Sequence, residues 1–270
     1  AAAALVVVAV SAVTAPARAE QFYASQVVST VVGAQQQSGF KDPNLALGGP
    51  RGGGTSTNSL HAYSLGNGGS ITLGFGDGSP SERTISDGPG ADFIVSENSF
   101  YDGEDPHRAF AELMWVEVSS DGANFARFPA YSGTPQAVPA YGTLDPAQIS
   151  QFAGVRPVLA NIETEPETDP FDAAAAGGDA FELSALRCDP LVVGGQVDLG
   201  QIRYVRLVDV IGDGSSLDAA GRPVFDPTGF GIGGADVDAL TVINGAHAPE
   251  PTAALPLAGL ALARLARRRR

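Results

Sequence analysis

Turn-forming residues interrupt the chain at short, regular distances, and this spacing limits the architectures that the chain can adopt. Glycine accounts for 34 and proline for 19 of the 270 residues, and turn signals recur roughly every 8 to 15 residues. The segments between these turns show little helical periodicity, and several alternate polar and apolar residues as half-buried strands do. We therefore predict an all-β fold, a single β-sandwich with long loops.

Individual segments support this prediction. Residues 115–125 predict a hairpin across Asp121 and Gly122, because strand-like residues flank an Asp-Gly pair. Residues 212–226 hold several aspartates and glycines without a strand pattern, and we expect a long acidic loop there. The clearest strand patterns occur at residues 70–75, 92–98, 110–119, 201–210 and 236–244.

The amino-terminal end has the composition of a secretory signal. Residues 1–13 are almost wholly apolar, and Ala17 and Ala19 flank Arg18 as a small-residue cleavage tripeptide. We therefore predict a signal peptide over residues 1–19, with Glu20 as the mature amino terminus. An initiating Met and a basic region are missing in front of it, which predicts that further residues precede Ala1 in the full protein. The alternative is a buried amino-terminal helix.

The carboxyl-terminal end combines a short polar motif, an apolar segment and a basic terminus. Pro249, Glu250 and Pro251 are followed by a mostly apolar stretch, and residues 267–270 are all arginine. The apolar stretch has roughly 14 residues, fewer than the ~20 that an ordinary spanning helix needs. The arginines would remain on the cytoplasmic side of a membrane.

This arrangement resembles the PEP-CTERM sorting signal of Gram-negative bacteria. The resemblance covers residues 249–270, and we assign residues 247–270 to the sorting signal. It implies a short transmembrane helix that anchors the chain transiently in the inner membrane, and an exosortase-like enzyme that cuts near Pro249, Glu250 and Pro251. The implied destination is the cell envelope or the extracellular space.

The segment between the two ends carries a second, weaker resemblance. Phrases at residues 87–98, 203–209 and 234–240 are similar to those of cell-surface proteins of the PEP-CTERM class. The ectodomains of that class are similar to jelly-roll, galactose-binding-like sandwiches. The resemblance therefore implies such a sandwich over residues 20–246, held near exopolysaccharide, as in a biofilm matrix. It implies no defined catalytic activity.

Charge narrows the possible partners. Residues 20–248 hold 29 acidic and 10 basic residues, a formal net charge of −19. Such acidity argues against nucleic acids and anionic membrane surfaces, because both attract clustered lysine and arginine. It suits oxygen ligands for a hard cation such as Ca²⁺. Cys188 is the sole cysteine, so the chain forms no intrachain disulfide.

The densest group of acidic residues follows residue 208. One aspartate ends a predicted strand and another opens the last strand, so the loop between them can fold back and bring carboxylates together. Nearby glycines allow the backbone to turn inward, and Ca²⁺ takes six to eight oxygen ligands. We therefore predict a calcium site, with a solvated acidic loop as the alternative. The candidate ligands are Asp209, Asp213, Asp218, Asp226, Asp236 and Asp238.

A second candidate site lies on the predicted strand at residues 92–98. Asp92, Glu97 and Asn98, with Asp87, supply acidic and amide groups that suit calcium or sugar hydroxyls, although turn-forming and edge positions are the more common explanation of such residues. If this strand lies beside the last strand, Glu97 or Asn98 approaches Asp236 and Asp238. Sugar binding also needs an exposed aromatic ring. The candidates for that ring are Trp115, Tyr63, Tyr101, Tyr131 and Tyr141. Trp115 lies inside a strong strand pattern, a position that favours the core over an exposed platform.

Two functions remain open. The first is a structural or adhesive surface protein, not an enzyme, with a calcium-stabilised and glycan-binding sandwich. The second is a glycan hydrolase or lyase in which Glu97 pairs with Asp92, Asp236 or Asp238. Paired carboxylates about 5–5.5 Å apart indicate retaining hydrolysis and about 6.5–9.5 Å inverting hydrolysis, whereas oxygens around one point indicate calcium.

Overall fold

A computed structural model describes residues 19–57, 59–76, 83–227 and 233–247. The expected signal segment through Arg18 and the expected sorting segment with Pro249, Glu250 and Pro251 lie outside these ranges, as does the predicted transmembrane helix. In the described ranges, none of the helices has the length and apolar character needed to cross a membrane.

Short strands make up most of the regular structure. In chain order they are β1 (Glu20–Tyr23), β2 (Gln26–Val31), β3 (Tyr63–Ser64), β4 (Ser70–Gly74), β5 (Arg83–Ile85), β6 (Phe93–Glu97), β7 (Phe100–Tyr101), β8 (Ala109–Phe110), β9 (Met114–Ser119), β10 (Ala126–Arg127), β11 (Tyr131–Ser132), β12 (Ile149–Ser150), β13 (Asp179–Phe181), β14 (Tyr204–Asp209), β15 (Asp213–Leu217), β16 (Pro223–Phe225) and β17 (Asp236–His247).

The helical elements are single turns. One α-helix, α1, covers Pro190–Val193, and 3₁₀ turns cover Pro43–Ala46, Asp102–Glu104, Pro146–Gln148 and Leu183–Leu186. Aspartates cap three of these elements with a proline directly after the cap, which favours a tight start. The described chain is therefore all-β, as the turn spacing predicts.

Two antiparallel sheets form the body of the fold. The first has the order β1-β17-β6-β13, with β3 and β5 pairing opposite ends of the long strand β17. The second has the order β10-β9-β14-β4-β2. Three two-stranded ribbons, β7 with β8, β11 with β12 and β15 with β16, lie outside the two sheets. This arrangement has the character of a β-sandwich.

The main core contains residues from both sheets. Phe93 and Phe181, on β6 and β13, stack with ring centroids 5.3 Å apart, and Val116 and Leu207 of the second sheet belong to the same buried cluster. Burying a large apolar side chain contributes roughly 1.5–3 kcal/mol, so this shared layer holds the two sheets together.

A second buried cluster involves the second sheet and the ribbons near it. Trp115 on β9 packs against Phe152 with ring centroids 4.6 Å apart, and the Arg127 guanidinium lies 4.8 Å from the Trp115 ring. Trp115 is only 7% exposed. It is therefore a core residue and not a sugar platform, as its place inside a predicted strand indicates.

Most strand predictions are confirmed. Residues 92–98 contain the central strand β6, residues 236–244 begin the last strand, and a hairpin joins β9 to β10 around Asp121. The prediction for residues 212–226 is wrong, because β15 and β16 pair there as a ribbon. Exposed and half-buried positions alternate along β15, and polar residues occupy most of them. A ribbon with so little apolar contrast resembles a loop in sequence.

Candidate functional site

Four strand ends meet at one end of the sandwich and bring carboxylates together. In the first sheet, Glu97 is the last residue of β6 and pairs with Val237, so Glu97 lies beside Asp236 at the start of β17. The Asp236 backbone N–H donates a 3.1 Å hydrogen bond to Glu97 Oε1. Antiparallel pairing therefore fixes these two acids as neighbours.

The second sheet places two further acidic residues at the same end of the sandwich. Asp209 is the last residue of β14 and pairs with Met114 at the start of β9, and Glu112 lies two residues before that strand. Gly154 packs against Glu112, and a Cβ added at Gly154 would lie 1.9 Å from the Glu112 carbonyl oxygen. Gly154 also has a φ of +83°, which favours glycine. The backbone around Glu112 thus requires a glycine at position 154.

Three of these carboxylates have buried oxygens without a hydrogen-bond partner among the described residues. The atoms are Glu97 Oε2, Glu112 Oε1 and Asp236 Oδ1, and the three residues are 3%, 4% and 6% exposed. Buried polar atoms are nearly always paired, and an unpaired one costs roughly 1–3 kcal/mol. The three residues repel one another electrostatically, although their oxygens do not all lie within 4.8 Å of one another. We call Glu97, Glu112 and Asp236 the acidic pocket group.

Burial and mutual repulsion raise the pKa values of this group. Burial is the main cause of raised pKa values for Glu97 and Glu112, and both lie well above their usual value. The charge of Asp236 adds to both shifts, and Glu97 and Glu112 also repel each other. Burial raises the pKa of Asp236 to about 6, although Ser64 and Asn98 lower it in part.

No basic side chain in the described part of the chain forms an ion pair with the acidic pocket group. Arg156 is the basic residue that approaches indirectly, because it binds Asp179 at 2.9 Å and Asp179 raises the pKa of Glu97. The negative charge of the group is thus left for a cation to balance, or is removed by protonation.

A pocket of about 170 Å³ opens beside the group. Its lining includes Glu112, Asp236 and the amide side chain of Asn98, and the Ser59 backbone N–H donates to Asn98 Oδ1. The volume is many times the ~10–15 Å³ that one water needs. Carboxylate and amide oxygens around such a space are the ligand types that hard cations prefer.

Aromatic rings form one wall of this pocket. Phe100 and Phe110, on the ribbon of β7 and β8, stack at 5.3 Å, and Tyr141 stacks on Phe110 at 6.4 Å. Tyr141 is 78% exposed and has a φ of +57°, a conformation that non-glycine residues rarely adopt. Of the tyrosines predicted as sugar platforms, Tyr141 lines the pocket, whereas Tyr63 is fully buried.

Two of the predicted calcium ligands lie next to the group but have structural partners. Asp209 accepts hydrogen bonds from the backbone N–H groups of Ala235 and Gly68 at 2.8 and 2.7 Å. Burial nevertheless raises its pKa to about 8, and the nearby charges of Asp226 and Asp236 contribute. Asp226 is fully buried and accepts a 3.1 Å hydrogen bond from the Leu113 N–H. Both acids hold loops against the strands near the pocket.

The other predicted calcium ligands lie elsewhere. Asp213 is exposed on β15 and accepts from the Ser215 N–H, and Asp218 binds Arg222 at 2.7 Å. Asp238 accepts from the Arg51 N–H at 2.8 Å beside His61, and burial raises its pKa to about 7. The structure does not bring these three aspartates to the acidic pocket group.

Asp92 lies at the opposite end of β6 from Glu97. A strand rises about 3.3 Å per residue, so the two carboxylates are roughly 16 Å apart along it. Asp92 accepts from the Leu183 N–H at 2.7 Å and from the Asn244 amide at 2.9 Å. The predicted pairing of Glu97 with Asp92 as glycosidase carboxylates is therefore wrong, because even inverting pairs lie within about 9.5 Å.

Asp92 belongs to a tighter trio with Asp87 and Glu182. One oxygen from each lies within 4.8 Å of the others, and the trio is the one such group of three in the described ranges. Arg187 already binds Asp87 at 2.8 Å, and the charges of all three acids raise the pKa of that arginine. The Arg187 guanidinium therefore already supplies a positive charge at the trio. The acidic pocket group is wider but holds more uncompensated charge.

Sequence reasoning missed Glu112. Its signal is a single acidic residue inside the otherwise apolar run at residues 109–116, where a buried charge is costly without a partner. Glu97, Asn98 and Asp236 were predicted, and their approach was made conditional on pairing between the strand at residues 92–98 and the last strand, which the structure confirms. Glu112 joins them, and Asn98, Glu112 and Asp236 line one pocket.

No protein-family model, curated protein or solved structure matches this chain.

Proposed function

We propose that this chain is an exported β-sandwich protein of the cell surface or extracellular matrix, stabilised by a Ca²⁺ ion bound to the acidic pocket group. Its role is structural or adhesive. The observation that carries the calcium proposal is the set of three unpartnered oxygens on Glu97, Glu112 and Asp236. A single divalent ion would neutralise much of this buried charge.

Ligand chemistry favours calcium over softer metals. The pocket presents carboxylate and amide oxygens, and neither a cysteine nor a histidine is among its lining residues. Zinc and copper sites usually include thiolate or imidazole ligands, whereas Ca²⁺ accepts six to eight oxygens in flexible geometry. Water would complete a shell that three carboxylates begin.

The position of the pocket explains what the ion would do for stability. Glu97 and Asp236 belong to the first sheet, and Glu112 precedes β9 of the second sheet. An ion bound to all three would join the two sheets at one end, where carboxylate repulsion otherwise pushes them apart. Such a reinforced end suits the jelly-roll, galactose-binding-like sandwich that the sequence resemblance implies.

Thermal unfolding of the full-length chain tests the calcium proposal. Free calcium at about 100 times its Kd stabilises a folded protein by about 2.7 kcal/mol, so the Tm should rise with calcium and fall with a chelator. Glu112→Gln should reduce that rise, whereas Asp213→Asn, on an exposed ribbon, should leave it intact. A Tm that is the same with calcium and with chelator contradicts the proposal.

Export and processing rest on the two terminal sequence signals. Replacing Pro249, Glu250 and Pro251 with alanine should leave an uncleaved precursor in the inner membrane, because an exosortase-like enzyme would lose its recognition motif. Cell fractionation and mass spectrometry of the released protein measure this. Normal release of a shortened protein from the variant would contradict the sorting proposal.

The alternative function, a glycan hydrolase or lyase, depends on the same acids. Its supporting observation is that Glu97 and Glu112, both with raised pKa values, lie near a pocket large enough for part of a sugar. A protonated carboxyl beside an ionised one is the pairing that glycosidases use. Release of reducing ends from exopolysaccharide, lost in Glu97→Gln, would favour this enzyme over the binding protein.

A further inference from the structure

Two buried acids line a pocket that also has an aromatic wall. Glu112 and Asp236 border this pocket of about 170 Å³, together with Phe110 and Tyr141. Glu112 Oε1 and Asp236 Oδ1 accept no hydrogen bond in the described ranges, although the two residues are only 4% and 6% exposed. Buried acceptors are nearly always satisfied. The pocket is therefore bordered by two acids whose oxygens need hydrogen-bond donors.

The aromatic wall adds a second attraction for positive charge. Phe100 and Phe110 stack with ring centroids 5.3 Å apart, and Tyr141 stacks on Phe110 at 6.4 Å. Tyr141 is 78% exposed, so core burial does not account for its position. The face of an aromatic ring attracts a cation that lies within about 6 Å of its centroid. Acids and rings thus favour a cation in the same space, and the rings also offer apolar contact.

The unsatisfied oxygens specify the kind of cation. A primary ammonium group carries three N–H donors, and each can bind a carboxylate oxygen at about 2.7–2.9 Å. A quaternary ammonium group has no N–H donor and would leave Glu112 Oε1 and Asp236 Oδ1 without a hydrogen bond. The donors of a primary ammonium group point in separate directions, so the acceptors do not have to converge as tightly as the ligands of a metal ion.

The volume of the pocket specifies the length of the attached chain. One water occupies about 30 Å³ in the liquid, so the pocket accommodates roughly five or six groups of that size. The four methylene carbons and the nitrogen at the end of a lysine side chain make up such a set. A chain of this length would place its carbons against Phe110 and Tyr141 while its nitrogen reaches the acids.

We propose that this pocket binds a primary alkylammonium group, with its N–H donors on Glu112 and Asp236 and its carbon chain against Tyr141. The end of a lysine side chain on another protein and a free small amine share this chemistry. The inference goes beyond the calcium proposal and does not need the ion. An ammonium group requires only the two acids that line the pocket, and calcium would compete with it for them.

Titration calorimetry on the full-length chain in chelator tests the inference. The probes are n-butylammonium chloride, its neutral counterpart n-butanol, tetramethylammonium chloride and Nα-acetyl-lysine methylamide. We expect n-butylammonium to bind at least about tenfold more tightly than n-butanol, which lacks the charge, and than tetramethylammonium, which lacks N–H donors. Either result for the lysine derivative supports the ammonium site, and it tells whether the pocket accepts a lysine of a partner protein or only a free amine.

Variants test the two kinds of contact. Asp236→Asn keeps the shape of the side chain and removes its charge, so the affinity for n-butylammonium should fall more than about tenfold. Tyr141→Ala should weaken binding about two- to fivefold, the range expected for a cation over an exposed ring, and Tyr141→Phe should retain it. The matched controls Asp213→Asn and Tyr131→Ala change exposed residues that do not line the pocket, and both should bind as wild type does.

Added calcium separates this inference from the calcium proposal. Both cations use Glu112 and Asp236, so calcium should weaken the binding of n-butylammonium. If calcium raises the Tm and n-butylammonium does not bind in chelator, the ammonium inference is overturned while the calcium proposal stands. If n-butylammonium binds and calcium leaves the Tm unchanged, the calcium proposal fails and the ammonium site stands. Equally tight binding of n-butanol or tetramethylammonium, or wild-type affinity in Asp236→Asn, would also overturn the inference.

Discussion

Replacing Asp236 with asparagine should stabilise the calcium-free protein, although it removes a charged group. Burial raises the pKa of Asp236 from 3.8 to about 6. One pKa unit corresponds to about 1.4 kcal/mol, so at pH 8 the ionised Asp236 destabilises the fold by up to about 3 kcal/mol. An asparagine side chain at this position has the shape of the protonated acid and carries no such penalty.

The raised pKa of Asp236 determines how the stability difference between the two proteins changes with pH. A carboxyl whose pKa is higher in the folded than in the unfolded state contributes stability below about pH 4, and that contribution is lost as the pH rises through about 6. In chelator, Asp236→Asn and wild type should therefore have similar stability at pH 4 and should diverge towards pH 8. For a domain of 150–250 residues, about 3 kcal/mol corresponds to a difference in Tm of roughly 6–12 °C.

Calcium should remove most of the difference between the two proteins at pH 8. Wild type gains about 2.7 kcal/mol at 100 times its Kd, close to the difference of up to about 3 kcal/mol in chelator, whereas the variant lacks one charged ligand and gains less. Calorimetric or fluorescence melts at pH 4 and pH 8, with calcium and with chelator, measure all four states. Asp213→Asn is the control, because Asp213 is exposed. An Asp236→Asn protein that is less stable than wild type in chelator at pH 8 would refute the reasoning.

The other predictions concern the packing of the core, the close backbone approach at Gly154 and the pH dependence of calcium affinity. Phe181→Ala should cost about 3–5 kcal/mol in denaturant unfolding, because its ring is buried between two other phenylalanines; a loss below 1 kcal/mol would contradict this packing. Gly154→Ala should destabilise the fold and weaken calcium binding, since its Cβ would overlap the Glu112 carbonyl. Gly90→Ala, with a similar φ and no atom within 4 Å, is the matched control; equal losses would argue against the overlap. Calcium affinity measured by calorimetry should rise from pH 5 to pH 8, because protons compete for the raised-pKa carboxylates; a flat profile would contradict their role.

The general architecture could be predicted because the core strands carry strong local signals. Residues 92–98 and 236–244 are apolar enough to indicate buried strands, and the Asp-Gly pair at Asp121 marks a hairpin. The pairing of β6 with β17 could be raised only as a condition, since their sequence separation of about 140 residues leaves no local trace. The ribbon of β15 and β16 was missed for a related reason, because its polar strands lack apolar contrast.

The candidate site illustrates the same limit. Sequence reasoning grouped aspartates that are close along the chain, such as Asp213 and Asp218, and the structure separates them because they lie at opposite ends of the extended strand β15. Glu97 and Asp236 are far apart in sequence and adjacent in space through strand register. Glu112 precedes β9 of the second sheet. It lies near the other two acids because the strand ends of both sheets meet at this end of the sandwich.

The most direct test of the account is the position of a calcium analogue in a crystal of the protein. Terbium binds oxygen ligands as calcium does, and its anomalous scattering marks its position. We predict an anomalous peak about 2.3–2.6 Å from oxygens of Glu97, Glu112 and Asp236. A peak confined to Asp87, Asp92 and Glu182, or no peak at any buried carboxylate, would contradict the claim that this pocket is the cation site.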